Sequence, residues 1–222
     1  TVITPTYNRS YVLHKCYESL VNQTCNDFLW IVVDDGSTDN TEGLVNKWIM
    51  DNKIEIIYYK KNNGGKASAL NFALEKVSTD YWVCLDSDDT FSNKAIEVAI
   101  NELEKIRDDS RYCGLLALRN LPSGEVLGGK RVPNNITEAT IMEITDKYKI
   151  RSEFIQFYKT IITLKYRFPI IPGEKFISSE YLSAELNRKY KFKVSQEIYC
   201  YCEYLPDGLT KNKINVIKKN PK

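Results

Sequence analysis

The chain has 222 residues, enough for one large domain around a single buried core. Its 31 Lys+Arg and 29 Asp+Glu leave a formal net charge of +2, which excludes bulk electrostatics as a case for a nucleic-acid partner. It has no run of about 18 apolar residues, so no membrane-spanning helix is expected, nor a signal peptide.

Thr1-Val2-Ile3-Thr4 reads as a strand already under way without an initiator Met, so a few residues are expected to precede it. The first helix carries the lone histidine, His14, read as a surface or packing residue. Leu29-Trp30-Ile31-Val32-Val33 is a short apolar run of β formers, as expected for a strand buried on both faces. Asp39 with Glu42 three residues on marks a helix start, and a helix is expected over 41–50. Residues 54–59 form the next strand, and Asn62-Asn63-Gly64-Gly65 breaks the chain. A helix follows over 66–77, with Ala67, Leu70, Leu74 and Val77 on one stripe. Residues 81–85 are a further buried strand, 93–107 an amphipathic helix and 114–118 a fifth strand. This alternation specifies βαβ units and a mostly parallel sheet.

Beyond Pro122 the pattern loosens. Turns at 122–124 and 128–129 precede a helix over 138–149, a proline-containing loop over 167–173, a helix over 181–190 and a strand over 197–204. No linker separates two domains. The expectation is one α/β domain over 1–222, with a ligand-binding half (1–120) and an α+β half (121–222) packed on it. The cysteines at 16, 25, 84, 113, 200 and 202 form no Cys-x-x-Cys pair. Cys200 and Cys202 share one face of a strand, and with one histidine a zinc site is disfavoured against buried thiols of a reducing cytoplasm. The basic end, Lys218 to Lys222, reads as a solvated terminus, with a membrane-surface or polymer contact as the other option.

Three loops carry chemistry. Asp34-Asp35-Gly36-Ser37-Thr38-Asp39 follows the second strand, where open α/β sheets bind ligands; adjacent carboxylates there can take ligand hydroxyls or an amide N–H, or simply cap a turn. Asn63-Gly64-Gly65-Lys66 opens a helix. Free N–H groups, the helix dipole and the Lys66 charge favour a phosphate, although the spacing is not that of a Walker loop. Asp86-Ser87-Asp88-Asp89 ends the fourth strand. Three carboxylates within four residues repel one another unless a positive group sits among them, and an oxygen-loving divalent cation bridging to phosphate is the natural occupant. Loops after strands of one sheet converge at one edge, so together they describe a nucleoside-diphosphate site.

These loops, with Thr4-Pro5-Thr6-Tyr7-Asn8-Arg9 and the continuation Ala67-Ser68-Ala69-Leu70-Asn71, resemble the ordered motifs of family 2 glycosyltransferases of GT-A fold, bacterial surface-glycan type. The resemblance covers roughly the first hundred residues. Segments 176–186 and 204–210 resemble acceptor-side parts of bacterial members. It implies that Pro5, Thr6 and Tyr7 line the base pocket, Asp34 and Asp35 serve the nucleotide, with Asp35 hydrogen-bonded to the base, and Lys66 lies near the ribose or phosphates. It further implies that Asp86 and Ser87 contact ribose or donor sugar, and that Asp88, with Asp89 beside it, binds Mg²⁺ or Mn²⁺.

Inverting transfer also needs a carboxylate to take the acceptor proton. Glu180 is the candidate, following Ser178 or Ser179 as a helix cap; the other reading of Glu180 is a favourable charge in a helix's first turn, and Glu174 is the fallback base. The family usually carries an acidic pair here, and Ser179 stands at its first position. Tyr199, Tyr201 and Tyr204 read as sheet packing or as sugar-stacking rings. The implied function is transfer from a nucleotide diphosphate sugar, a UDP-sugar for preference, to a glycan or lipid-linked acceptor in bacterial surface-polysaccharide synthesis. A cytoplasmic enzyme is expected, at the inner membrane face where the acceptor is lipid-linked. The competing readings are a non-catalytic sugar-nucleotide-binding protein and a nucleotidyltransferase. The latter would carry a Gly-rich loop where Pro5-Thr6-Tyr7-Asn8-Arg9 stands.

Overall fold

A strand that is apolar at every position must be covered on both faces. The computed structural model, which describes residues 1–178, 180–203 and 205, shows how. In chain order the first half comprises β1 (Val2–Thr6), α1 (Leu13–Val21), β2 (Leu29–Asp34), α2 (Thr41–Asp51), β3 (Glu55–Lys60), α3 (Lys66–Leu74), β4 (Tyr81–Cys84), β5 (Asp89–Phe91), α4 (Ala95–Glu104) and β6 (Tyr112–Asn120). The second comprises β7 (Glu138–Ala139), a π-helical turn (Glu143–Lys147), β8 (Phe154–Lys159), α5 (Thr160–Thr163), α6 (Glu180–Leu186) and β9 (Lys191–Cys202).

The strands form one sheet in the order β3-β2-β1-β4-β8-β6-β9-β5, with β7 also on β9. β1, β2, β3 and β4 pair in parallel, β8 is antiparallel to both β4 and β6, and β9 is parallel to β6. β1 to β4, β6 and β9 therefore run one way, and β5, β7 and β8 the other, so the sheet is mostly parallel. The strand β8 has no counterpart in the sequence reading, nor does the three-residue β5.

Alternation along each strand divides the core. Val2, Trp30, Val32, Leu115 and Phe157 face a cluster completed by Leu13 and Leu20 of α1, Val45 and Trp48 of α2, and Leu103 of α4. Ile3, Ile31, Val33, Leu116 and Tyr158 face the opposite cluster with Leu70 and Leu74 of α3, Ile144 of the π turn, and Leu182 and Leu186 of α6. Three layers result, and the two halves of the chain share both cores. The helix expected over 138–149 is shorter: Glu138 and Ala139 pair with β9, and the helical stretch covers 141–147, because edge pairing with Lys193 and Phe192 claims the start of the segment. Cys16, Cys113, Cys200 and Cys202 are buried thiols, and His14 is exposed on α1. Tyr199 packs edge-on against Phe157, whereas Tyr204, the 206–210 segment and the basic end lie outside the described residues. No described helix is long and apolar enough to cross a membrane.

Trp30 is fully buried, stacks with Tyr17 and Trp48, and donates its indole N–H to Thr4 Oγ1 at 2.9 Å. Trp30→Ala is expected to lower the unfolding free energy by about 3–5 kcal/mol, read from the urea midpoint at unchanged slope.

Candidate active site

Parallel strands deliver their carboxyl ends to one edge, and the loops after β1, β2, β3 and β4 meet there. The first two are stitched together. Asn8, in the left-handed region at φ 53°, accepts from the Thr38 N–H at Oδ1 (2.8 Å), while its own N–H donates to Ser37 Oγ (2.9 Å). Ser10 N–H donates to Asp39 Oδ2 at 2.9 Å, and Asp39 Oδ1 accepts from Thr41 at the start of α2. Pro5 and Thr6 are buried in β1, and the chain then leaves Tyr7 47% exposed at its end.

The two carboxylates after β2 have separate tasks. Asp34 is fully buried; its Oδ1 accepts from Ser37 N–H (2.6 Å) and its Oδ2 from Tyr58 OH (2.6 Å). Asp34 thus takes one hydrogen bond from within the fold on each of its oxygens. Asp35 accepts from Lys61 Nζ (2.7 Å), Gly64 N–H (3.0 Å) and Gly65 N–H (2.7 Å). The glycine N–H groups expected to cradle a phosphate thus already hold an anion, the Asp35 carboxylate. Asp35 works as the clamp of the glycine loop.

That loop is also where the second half docks. A Cβ on Gly65 would lie 1.9 Å from the Lys175 carbonyl oxygen, and Gly65 has φ +87°. Lys175 Nζ donates to Asn63 Oδ1 at 2.6 Å. One turn on, the Asn71 amide exchanges two hydrogen bonds with the Phe168 backbone, at 2.8 and 2.9 Å. The segment leading to α6 is thereby laid over the glycine loop and the start of α3. Ser178 Oγ accepts from the Glu180 N–H at 3.2 Å, as expected of a cap, and leaves Glu180 exposed in the first turn. Ser179 lies outside the described residues, and Glu174 is half-buried before it.

The acidic turn is divided by two cations. Lys66, the first residue of α3, places Nζ 2.5 Å from Asp86 Oδ1. Burial alone would lower the Lys66 ammonium, but Asp86 more than offsets it and holds it above its ordinary value. The Asp86 carboxyl is pulled down, against burial, by Lys66 and Arg119. Arg119 of β6 places Nη1 2.8 Å from Asp89 Oδ2. Burial pushes the Asp89 carboxyl up to about 7 despite that neighbour. Asp89, expected beside the metal, is paired through Oδ2 with Arg119. Ser87 is buried within the turn. Asp88 makes no ion pair or side-chain hydrogen bond to a described residue, and burial and Asp86 hold its carboxyl above the usual range. A half-buried, unpaired carboxylate among other oxygen donors fits a Mg²⁺ or Mn²⁺ ion. The neighbouring trio Asp89, Cys200 and Cys202 is a poorer host, because the Arg119 guanidinium, 3.5 Å from Cys202 Sγ, already supplies its positive charge.

The model of the family described as glycosyl transferase family 2 matches residues 1–159. The chain belongs to this family. Chondroitin synthase of Pasteurella multocida is 34% identical over 57% of this chain and 13% of that protein. The teichoic acid poly(glycerol phosphate) polymerase of Staphylococcus epidermidis is 39% identical over 43% of this chain and 14% of its own length. Glycosyltransferase GlyG of Streptococcus pneumoniae is 32% identical over 47% and 35%. The chain thus aligns with well under half of each relative. Among solved structures, S. aureus TarS 1-349 in complex with UDP-GlcNAc superposes with TM-score 0.72 at 22% identity, over 94% of this chain and 60% of that one. Mannosyltransferase PcManGT from Pyrobaculum calidifontis, in complex with GDP-Man and Mn²⁺, gives 0.68 at 18%, over 99% and 61%. At these identities the likeness establishes the shared GT-A fold.

Sequence reasoning missed Arg119, Lys61 and Asn71. Only Asn71 lay inside a quoted motif, and its task is to tie the two halves together. Gly65→Ala is expected to destabilise the fold by more than about 1 kcal/mol, because the left-handed backbone and the Lys175 carbonyl both exclude a Cβ; a melting curve compared with that of Gly129→Ala, where the space is open, isolates the contact.

Proposed function

We propose that this chain is the catalytic domain of an inverting glycosyltransferase. It moves a hexosyl or N-acetylhexosaminyl group from a nucleotide diphosphate sugar, a UDP-sugar for preference, to a glycan or lipid-linked acceptor in bacterial surface-polysaccharide synthesis. The observation that carries the reading is Asp88, the one carboxylate of the acidic turn without a partner among the described residues, in a chain of glycosyl transferase family 2. Named relatives in chondroitin and teichoic acid synthesis support the acceptor class. The UDP-GlcNAc complex of TarS supports the donor class, and the GDP-Man complex of PcManGT keeps the base a matter for experiment.

Each residue has a task in this reading. The exposed Tyr7 ring offers a face to the base, above a loop that Asp35 holds in shape. Lys66 and Asp86, already paired, flank the ribose and diphosphate. Asp88 holds Mg²⁺ or Mn²⁺, which when bound neutralises charge on the departing diphosphate. Glu180, on the segment laid across the glycine loop, takes the acceptor hydroxyl proton on a carboxylate oxygen as the new glycosidic bond forms. Work at the cytoplasmic face of a membrane follows if the acceptor is lipid-linked.

Thermal melts with UDP, GDP, TDP and CMP, each with and without Mn²⁺, test the donor site. A ligand at 100 times its Kd stabilises by about 2.7 kcal/mol, so one diphosphate is expected to raise Tm in a Mn²⁺-dependent way that Asp88→Asn abolishes. No rise with any of them would favour a protein that does not use sugar nucleotides. Glu180→Gln is expected to cut turnover by about 10²–10⁴-fold while the nucleotide-dependent rise in Tm persists. Unchanged turnover would remove Glu180 from the mechanism.

A further inference from the structure

Asp88 is the residue on which the proposed function rests, yet among the described residues no other side chain is hydrogen-bonded or ion-paired to its carboxylate. Its position must come from its neighbours. On one side, the turn is closed by the Asp89 N–H donating to the Asp86 carbonyl at 3.0 Å. On the other, Asp89 begins β5, which is three residues long and pairs only with β9. So short an edge strand is a weak anchor by itself.

The side chain of Arg119 supplies the rest. β9 lies between β6 and β5, with Arg119 opposite Cys200 and Asp89 opposite Cys202. The guanidinium spans β9 to reach Asp89 at 2.8 Å, and passes Cys202 Sγ at 3.5 Å. Both partners are nearly buried, with side-chain exposures of 16% and 6%, and Arg119 Nε has no acceptor among the described residues. An ion pair set so deep is a costly way to gain stability, and apolar replacements often do as well. Its geometry is what apolar residues could not reproduce: a fixed distance between β6, in the body of the sheet, and the residue next to Asp88.

We propose that Arg119 is a positioning residue for the metal site: by holding Asp89 across β9, it fixes the turn so that the Asp88 carboxylate is presented to the cation. This inference rests on the reading of Asp88 as the metal ligand. Arg119 touches neither donor nor metal in this scheme and acts through Asp89.

The test is Mn²⁺ binding, read by electron paramagnetic resonance of free Mn²⁺ in the presence of UDP, and in parallel GDP. The proteins are wild type, Asp88→Asn, Arg119→Lys, Arg119→Met and the double variant Arg119→Met/Asp89→Leu. The double variant removes both buried charges together, which keeps the fold available if Arg119→Met alone fails to fold. Loss of an outer residue that orients a ligand typically costs about 10–100-fold in metal affinity, and a loss in that range is expected for Arg119→Met and for the double variant, even with wild-type Tm. Arg119→Lys is expected to recover part of it. In turnover assays the KM for Mn²⁺ should rise more than kcat falls. If the double variant binds Mn²⁺ as the wild type does, Arg119 is only a counterion for Asp89, and the inference is overturned while the Asp88 reading stands. If wild type and Asp88→Asn bind Mn²⁺ alike, the Asp88 reading fails and takes this inference with it.

Discussion

Three carboxylates in four residues, at the end of a strand buried on both faces, cannot all be charged without help from elsewhere in the chain. The help comes from two separated places. Lys66 arrives from the start of α3 and Arg119 from the far end of β6. Each pairs with one carboxylate, and the middle one, Asp88, is the residue that the proposed function gives to a cation. The arrangement works only if α3, β4, β6 and β9 keep their places, so the integrity of the site is inseparable from that of the sheet. β8 matters for this reason although it carries none of the site residues: it sits between β4 and β6 and ties the strand that leads into the acidic turn to the strand that carries Arg119.

A second set of contacts joins the halves of the chain. Asp35 gathers Lys61, Gly64 and Gly65 into a tight loop, and the absence of a side chain at Gly65 lets the Lys175 backbone lie on it. The Asn71–Phe168 amide pair repeats the tie one turn further on. The segment bearing Glu180 is thereby placed by the same loop that faces the nucleotide in the proposed function. A disturbance of the glycine loop would be felt in both halves of the chain, since its glycines hold the Asp35 carboxylate on one side and the Lys175 backbone on the other.

Much of the first half was legible because its signals are local. Apolar runs such as 29–33 and 81–85 have no amphipathic alternative, and the turn residues between them leave few choices of register. The second half was legible in part. The strand β9 was read from 197 onward but begins at Lys191, where Lys191, Lys193, Gln196 and Glu197 dilute the apolar pattern of an otherwise interior strand. β8 was missed outright: its place between β4 and β6 is decided by pairing with residues some 40 to 80 positions away, and no local pattern records that.

The acidic loops show a different kind of gap. Asp34 and Asp35, and again Asp88 and Asp89, were read as pairs serving one ligand. In each doublet one member closes or opens a strand and the other lies in the adjoining turn, so the two side chains have different surroundings. Asp34 is buried against Tyr58, while Asp35 turns into the glycine loop. Asp89 enters β5 and faces Arg119, while Asp88 stays clear of it. The sequence lacks the identity of the partner, because Tyr58 and Arg119 reach their carboxylates across the sheet, from 24 and 30 residues away in the chain. In this chain the residues that pair with Asp34 and Asp89 thus lie outside the acidic motifs, on strands whose sequence reads only as core.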